Sequence, residues 1–268
     1  PRDPVAAPDH DLTARVEREC YRALPAARVN DEDGRVRRLV DTLARCSFDV
    51  APALLGWLAR ERPSTYAAVL AADRAAVRRT GHGAALAHPY HHTVLPLLSR
   101  RDQATEVRWG LAEFRRRFGR EAAGMWLPEC AADDTTLDVL AAAGVRFTVL
   151  APHQLQPLGG GDAAALGACG ARVTTASGRA LAVYTYDAGL AHDVAFGGLL
   201  RDGRAWAVRL REAARSLGGG GLVAVAAGAE TFGHHHRFGD MALAAMFDTL
   251  EAGAATAPKA RSHGAAGD

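Results

Sequence analysis

The sequence predicts an α/β fold in which parallel strands alternate with helices. Short apolar strand-like segments alternate with amphipathic helical segments, polar clusters come directly after several strands, and no repeat of fixed period is present. In parallel β/α units the carboxyl ends of the strands share one edge, and binding sites gather there. A length of 268 residues suits one large domain of this class or two small ones.

The composition argues against several classes of protein. Lys and Arg number 32 against 30 Asp and Glu, and no basic stripe is interleaved with aromatic residues, so nucleic acid is not the expected partner. No apolar run of about 18 residues and no signal peptide are found, so no membrane association is predicted. Widely spaced cysteines without a CxxC pair indicate reduced thiols and a cytoplasmic location. The cysteines are Cys20, Cys46, Cys130 and Cys169.

The first part of the chain is predicted to be mainly helical. Apolar residues recur at helical spacing over residues 12–24 and 35–45. Residues 47–50 then form a short strand-like segment. Pro52 lies at the first turn of the next helix, where its missing N–H costs nothing, and Pro63 ends that helix.

The next elements lead to a histidine-rich segment. Ser64 caps a helix, and residues 81–87 are predicted as a loop that enters a strand. His-Pro-Tyr-His-His follows directly at 88–92. The clearest helix of the sequence then covers residues 102–118, and Gly119 supplies its C-terminal cap. Its apolar face carries Val107, Leu111, Phe114 and Phe118.

Strand ends carry polar groups in the second half as well. Residues 124–128 are predicted as a buried strand that runs into Glu129. A helix that opens at Asp133 and closes at Gly144 leads to a strand over residues 145–150. The remaining predicted elements are strands at 172–175 and 181–186, a helix at 202–217, an apolar strand at 222–226 and a helix at 240–250.

Glu129 is the strongest candidate for a chemically active group. A carboxylate at the end of a buried strand, next to a proline, has little freedom and faces the edge where sites form. Cleavage of a glycosidic bond needs such a fixed carboxylate beside a second acid. Trp126 offers an indole face for stacking a sugar ring. The alternative interpretation makes Glu129 a helix cap or ion-pair residue and Trp126 part of the core.

Two histidine clusters are further candidates. His92 in the segment 88–92 suits a hydrogen bond to a sugar hydroxyl, and a structural role is the alternative. Residues 234–236 are three adjacent histidines, which point in different directions on a strand or a helix. Residues 234–236 contain no HxxxH spacing, so pocket-lining histidines are favoured over a metal site for this cluster. Asp187 ends another predicted strand and is a further cleft candidate.

Taken together, the ordered segments resemble glycoside hydrolase family 57, and in particular a bacterial subgroup of unassigned substrate. The resemblance extends from about Cys20 to Leu250. The ordered set is specific, although no single motif is. The segments are His-Pro-Tyr-His-His-Thr-Val-Leu-Pro-Leu at 88–97, Val-Arg-Trp-Gly at 107–110, Phe-Arg-Arg-Arg-Phe-Gly-Arg at 114–120, Gly-Met-Trp-Leu-Pro-Glu at 124–129 and Glu-Thr-Phe-Gly-His-His-His-Arg-Phe-Gly at 230–239.

The resemblance implies a (β/α)7 barrel, an incomplete relative of the TIM barrel, that acts on α-glucan oligo- or polysaccharides with retention and needs no metal or cofactor. Glu129 matches the family nucleophile. The position of the family's acid/base aspartate is occupied by Gly228, so Glu230 or Asp187 is the expected substitute. On a strand, Glu230 would face the same side as Gly228 but start roughly 6–7 Å further along. The residues expected to bind sugar are Trp126, His88, His92, His234, His235 and Phe232.

The resemblance also predicts an incomplete domain. The family's first motif would lie before Pro1, so we expect a partial barrel over residues 1–251 that lacks its first strand, and a disordered tail over 252–268. With Gly228 at the acid/base position, activity is expected to be weak or lost. A non-catalytic carbohydrate-binding protein on the same fold is the main alternative. A metal-dependent hydrolase like polysaccharide deacetylases, with an ion between His88 or His92 and residues 234–236, is the other.

Overall fold

The computed structural model describes residues 11–156, 170–218 and 221–256 and shows a mixed α/β arrangement. This confirms the fold class that the alternation of strands and helices predicts. The strands are β1 (Ala27–Asn30), β2 (Val36–Val40), β3 (Phe147–Leu150), β4 (Ala171–Thr174) and β5 (Ala180–Thr185). The α-helices are α1 (Leu12–Val16), α2 (Pro52–Glu61), α3 (Pro63–Thr80), α4 (Arg100–Phe118), α5 (Asp134–Ala142), α6 (Ala188–Ala195), α7 (Gly203–Ser216) and α8 (Gly239–Thr256).

A series of parallel pairings connects the strand-like segments in chain order. Phe48 pairs with Ala85, Ala87 with Met125, and Gly124 with Phe147 at the start of β3. β3 in turn pairs in parallel with β5, and β4 lies antiparallel on the far side of β5. The carboxyl ends of the parallel members therefore share one edge, as expected for β/α units.

A buried ion pair fixes the segment that leads to His88. Asp73 on α3 is 1% exposed and accepts hydrogen bonds from Nε and Nη2 of Arg120 at 2.9 and 2.7 Å. The same two side chains bind the backbone of Ala85: its N–H donates to Asp73 at 2.8 Å, and its carbonyl accepts from Arg120 at 2.9 Å. A bidentate arginine–carboxylate pair with its remaining groups satisfied is the favourable form of a buried ion pair.

The core contains two large clusters of buried apolar side chains. Met125 and Leu127 on the central segment are fully buried, together with Val107 of α4 and Leu140 of α5. A second cluster lies between α2, α3, α7 and α8. Burying large aliphatic side chains of this kind stabilises the fold by about 1.5–3 kcal/mol each. The site-bearing segments thus rest on packed side chains from several helices.

Residues 35–45, predicted as a helix, instead contain strand β2. Val40 pairs with Ala27 of β1 in an antiparallel hairpin. The turn between the strands is closed by the Arg35 N–H, which donates to Asp31 Oδ1 at 2.8 Å, and Gly34 takes a φ of 78°. The hairpin buries Val40 against α8 and leaves Leu39 60% exposed, so tertiary pairing overrides the apolar periodicity.

Three other predicted elements differ in detail. The strand predicted over residues 124–128 is present only as isolated bridges at Gly124 and Met125. The helix predicted over residues 12–24 breaks after α1 into a π-helical turn, Glu17–Tyr21, and a 3-10 turn, Leu24–Ala26. The apolar segment 222–226 is not a regular strand, although Ala224 accepts a hydrogen bond from the Asp187 N–H at 2.8 Å. The hairpin of β4 and β5 is confirmed.

At its C-terminal end the described chain is helical. α8 continues to Thr256, beyond the boundary at residue 251 that the sequence predicts, and residues 257–268 lie outside the described part. Cys169 lies outside it too, whereas Cys20, Cys46 and Cys130 are free thiols. Within the described ranges, no helix is both long and apolar enough to span a membrane.

Gly110 allows α4 to approach the histidine-rich segment closely. A Cβ atom at position 110 would lie 2.1 Å from the carbonyl oxygen of His88, which is far inside van der Waals contact. Gly56 on α2 is a useful contrast, because the nearest atoms to a Cβ there are arginine side-chain nitrogens at 3.7 Å. Only the first of these two helical glycines is therefore required by close packing.

We predict opposite effects of alanine at these two glycines. G110A should lower the free energy of unfolding by about 1–3 kcal/mol, because the added methyl group displaces backbone at His88. G56A should raise it by up to about 1 kcal/mol, since alanine favours the helix and meets no obstacle. Thermal and urea unfolding of both variants measure this. Equal effects of the two substitutions would show that α4 does not need the close approach.

Candidate active site

Glu129 stands on a sharply turned backbone at the end of a buried segment. Leu127 is buried, and a 3-10 turn over Pro128–Cys130 follows. Glu129 and Cys130 have positive φ values of 58° and 52°, a left-handed conformation that residues other than glycine rarely adopt. The Glu129 side chain is 71% exposed. The turn therefore lifts the carboxylate off the packed core into an open position, at a cost in backbone strain.

Two stacked histidines lie beside this carboxylate. His92 Nε2 is 3.4 Å from Glu129 Oε1. The ring of His92 stacks on that of His88, with centroids 5.3 Å apart and an interplanar angle of 22°. The His88 side chain is only 2% exposed, and burial lowers its pKa, which favours the neutral ring. The exposed ring of His92 next to Glu129 thus packs against the buried ring of His88.

Glu106 on α4 holds the histidine-rich loop in place. Its carboxylate accepts a hydrogen bond from the His91 N–H at 2.8 Å and contacts His91 Nδ1 at 2.8 Å. Its backbone carbonyl accepts from the Tyr90 N–H at 3.1 Å. Three hydrogen bonds to one helix residue fix the path of the loop between His88 and His92.

Asp49 is a site carboxyl that sequence reasoning missed. It follows Phe48, whose segment pairs with the segment leading to His88, and its Oδ2 lies 3.9 Å from His88 Nε2. Burial raises the pKa of Asp49 to about 6; the charge of His92 opposes this rise, and that of Glu230 adds to it. The available signal was a carboxyl inside the predicted strand-like segment 47–50, one residue after Phe48.

The segment around Gly228 is a turn and not the expected strand. Residues Ala229–Phe232 form a 3-10 turn, so Glu230 does not start further along an extended chain as predicted. Its side chain folds back: a Cβ atom at position 228 would lie 3.2 Å from Glu230 Oε2. The Glu230 carboxylate therefore occupies the space that an aspartate side chain at position 228 would enter.

A comparison with protein families decides the family. Residues 71–257 match the model for glycosyl hydrolase family 57. The chain belongs to glycosyl hydrolase family 57. The family assignment that the ordered motifs imply is thus confirmed. A comparison with curated proteins found no match.

Several solved structures share the fold. An exo-type maltose-forming amylase from Pyrococcus sp. ST04 matches with TM-score 0.63 and 17% identity, over 79% of this chain and 36% of that chain. A 4-alpha-glucanotransferase from Thermococcus litoralis matches with TM-score 0.63 and 17% identity, over 89% and 34%. A GH57-type branching enzyme from Pyrococcus horikoshii matches with TM-score 0.63 and 14% identity, over 94% and 65%. This chain therefore spans about a third of the first two enzymes.

In this family 57 chain, Asp187 makes hydrogen bonds with backbone groups at two positions. Its Oδ1 accepts a hydrogen bond from the Leu190 N–H at 2.9 Å and so caps α6. Its own N–H donates to Ala224 at 2.8 Å. A carboxylate that caps a helix has one oxygen engaged, which makes Asp187 the less available of the two predicted substitutes for the family aspartate.

The residues of the 232–236 segment have several different partners. His234 Nδ1 contacts Glu19 Oε2 at 2.7 Å and thereby lowers the pKa of Glu19, and His236 Nε2 contacts the Ala195 carbonyl at 2.7 Å. Phe232 stacks on Trp206 within the core, whereas His235 is exposed. In the described ranges no three His, Cys, Asp or Glu side chains come together as a group able to hold a metal ion.

The strained turn makes a prediction about stability. E129G should raise the free energy of unfolding by roughly 1 kcal/mol relative to E129Q, because glycine adopts the left-handed conformation without the Cβ penalty. Few contacts are lost, since the side chain is exposed. Chemical denaturation of both variants measures the difference. An E129G protein less stable than E129Q would show that the turn stores no strain.

Proposed function

We propose that this chain forms a catalytic part of a retaining glycoside hydrolase or glucanotransferase that acts on α-glucan chains, with Glu129 as the nucleophile. The observation that carries the proposal is the Glu129 carboxylate, held open on a left-handed turn at the end of a buried segment and 3.4 Å from His92. Family membership supports the reaction class. The named activities of the similar enzymes, an amylase, a glucanotransferase and a branching enzyme, support an α-glucan substrate.

We further propose that the fold is an incomplete (β/α)7 barrel. The parallel pairings that run in chain order from Phe48 to β5 support it, because barrel strands pair with their neighbours in sequence. In such a barrel the residues after each strand converge on one mouth. Asp49, His88 and Glu129 follow three successive segments of the series and would surround the sugar-binding position.

The chemistry follows from two carboxyl groups. Glu129 attacks the anomeric carbon and forms a glycosyl–enzyme bond, while a second carboxyl protonates the departing oxygen; water or a sugar hydroxyl then releases the product. Gly228 cannot transfer a proton. Glu230 is the better placed substitute, because its carboxylate lies against position 228, whereas Asp187 caps α6.

The sugar-contacting residues form two groups in this proposal. His92 lies beside Glu129, and His88 supports it from below. Trp126 is half-buried on the segment that ends at Glu129 and keeps part of its indole open for stacking. The second group lies in the 232–236 segment, where His234 is partly exposed and His235 is exposed. Phe232, stacked on Trp206, contributes to that segment's support and gives the sugar less surface than the sequence predicts.

Fluoride release from α-maltosyl fluoride tests the nucleophile, because fluoride departs without a proton. The E129Q variant should lose at least about a thousandfold in rate, since no covalent intermediate forms. E121Q is the matched control: Glu121 is also 71% exposed, and its loss should leave fluoride release unchanged. Equal rates in E129Q and the unsubstituted protein would overturn the assignment of Glu129.

A non-catalytic carbohydrate-binding protein is the second candidate, and Gly228 favours it, because a binding protein needs no proton donor at that position. Retardation of the protein in gels that contain glycogen or amylose, measured beside fluoride release, separates the two functions. Retardation without Glu129-dependent fluoride release would favour the binding protein. Fluoride release that E129Q abolishes would favour the enzyme.

The proton donor is tested with maltooligosaccharides, whose leaving groups need a proton. E230Q should reduce hydrolysis or transfer by about 10²–10⁴-fold and leave fluoride release nearly intact. The shorter variant E230A should lose activity in the same way, and adding G228D to E230A should restore part of the loss, because the aspartate then enters the space that the removed glutamate side chain leaves. E212Q, a substitution of an exposed glutamate on α7, serves as the control. A comparable loss in D187N and none in E230Q would transfer the role to Asp187.

A further inference from the structure

The tautomer of His88 is fixed by its surroundings. Its Nδ1 lies 2.7 Å from the carbonyl oxygen of Pro89. A carbonyl oxygen only accepts hydrogen bonds, so Nδ1 carries the proton. Burial lowers the pKa of His88 and so favours the neutral ring, in which Nε2 is an unprotonated acceptor.

That acceptor faces a carboxyl group. Asp49 Oδ2 lies 3.9 Å from His88 Nε2, and a movement of about 1 Å brings the two atoms to hydrogen-bond distance. An ionised carboxylate would repel the lone pair of Nε2, whereas a protonated carboxyl donates to it. Burial raises the pKa of Asp49 to about 6, which agrees with a proton on this group at mildly acidic pH.

The pair of Asp49 and His88 connects to Glu129 through one ring stack. His92 stacks on His88 with centroids 5.3 Å apart, and His92 Nε2 lies 3.4 Å from Glu129 Oε1. Because both ring nitrogens of His88 would then have partners, its plane is fixed, and a fixed ring gives His92 a fixed surface. The position of His92 beside the nucleophile therefore depends on the hydrogen bonds of His88.

We propose that Asp49 is a positioning residue of the site: its carboxyl proton is donated to His88 Nε2, and the His88–His92 stack thereby holds His92 against Glu129. This inference rests on the proposed function of Glu129 and adds a role for Asp49, which lies outside the residues 71–257 that match the family model. The group acts through His88 and His92 and not on the substrate itself.

The pH dependence follows from the groups around Asp49. Below about pH 6 the carboxyl keeps its proton and the donated hydrogen bond is present; as the pH rises through about 6 the proton leaves and the hydrogen bond is lost. The positioning should therefore weaken on the alkaline side. The titratable groups that interact with Asp49 are His88, His92, Glu230, Tyr21 and Cys130.

Imidazole nitrogen NMR tests the hydrogen bond without any need for activity. With the His88 signal assigned through an H88Q variant, we expect the neutral Nδ1–H form at pH 5, with Nε2 shifted by a hydrogen bond. D49A should remove that shift, and D49N should retain it, since the amide N–H₂ donates in place of the carboxyl. A neutral Nε2–H form of His88, or a doubly protonated ring at pH 5, would overturn the proposal.

The pH profile of fluoride release tests the consequence for the site. The rate at low substrate should fall as the pH rises through about 6. D49A should be at least about tenfold slower at pH 5, because a displaced side chain next to the nucleophile slows attack. D49N should recover most of that loss and flatten the fall near pH 6. D41N is the control, since burial also raises the pKa of Asp41, and it should leave the profile unchanged.

The outcomes separate this inference from the proposed function. Glu129-dependent fluoride release with equal loss in D49N and D49A and an unaltered profile would overturn the role of Asp49 and leave the enzyme standing. Absence of Glu129-dependent release would overturn the proposed function. The NMR result would then decide the Asp49–His88 hydrogen bond by itself, since the spectra require only the folded protein.

Discussion

The buried pair of Asp73 and Arg120 determines where the site can form. It binds both the N–H and the carbonyl of Ala85, and so it fixes the segment that pairs with Phe48 on one side and with residues 124–126 on the other. Asp49, His88 and Glu129 each follow one of these three paired segments. If one partner of the pair were removed, an uncompensated charge would remain buried, and the segment that contains Ala85 would lose two hydrogen bonds. The geometry of the three side chains thus depends on an interaction that touches none of them.

Strain and exposure distinguish Glu129 from the carboxylates around it. Most of the site consists of well-bonded groups, such as Glu106 beneath the histidine-rich loop and Asp187 at its helix cap. Glu129 is different, because it is largely exposed and stands on two consecutive left-handed residues. Strained backbone of this kind persists when the surroundings determine it, and it is concentrated at functional sites. The turn therefore supports a catalytic over a purely structural role for this carboxylate.

Elements whose sequence pattern lies within a short stretch of chain were predicted correctly. The helix over residues 102–118 and the hairpin of β4 and β5 were predicted from periodicity and turn residues and are confirmed. Residues 36–40 were predicted wrongly because their apolar spacing fits a helix, and only pairing with β1 makes them a strand. Glu230 was also predicted on a strand, because it follows the apolar segment 222–226, but it lies in a 3-10 turn. Asp49 was missed because the segment before it is short and its importance comes from a neighbour remote in sequence.

The sequence by itself determined the α/β class, the ordered motifs of family 57 and the position of Glu129 directly after a buried apolar segment. These are local properties, since strand patterns, caps and motifs are read along the chain. Only the tertiary structure brought Asp49 to His88, turned the Glu230 carboxylate back toward Gly228 and stacked His92 beside Glu129. The first and the last of those relations join residues far apart in sequence, and they depend on strand order and on close approaches such as that of Gly110 to His88.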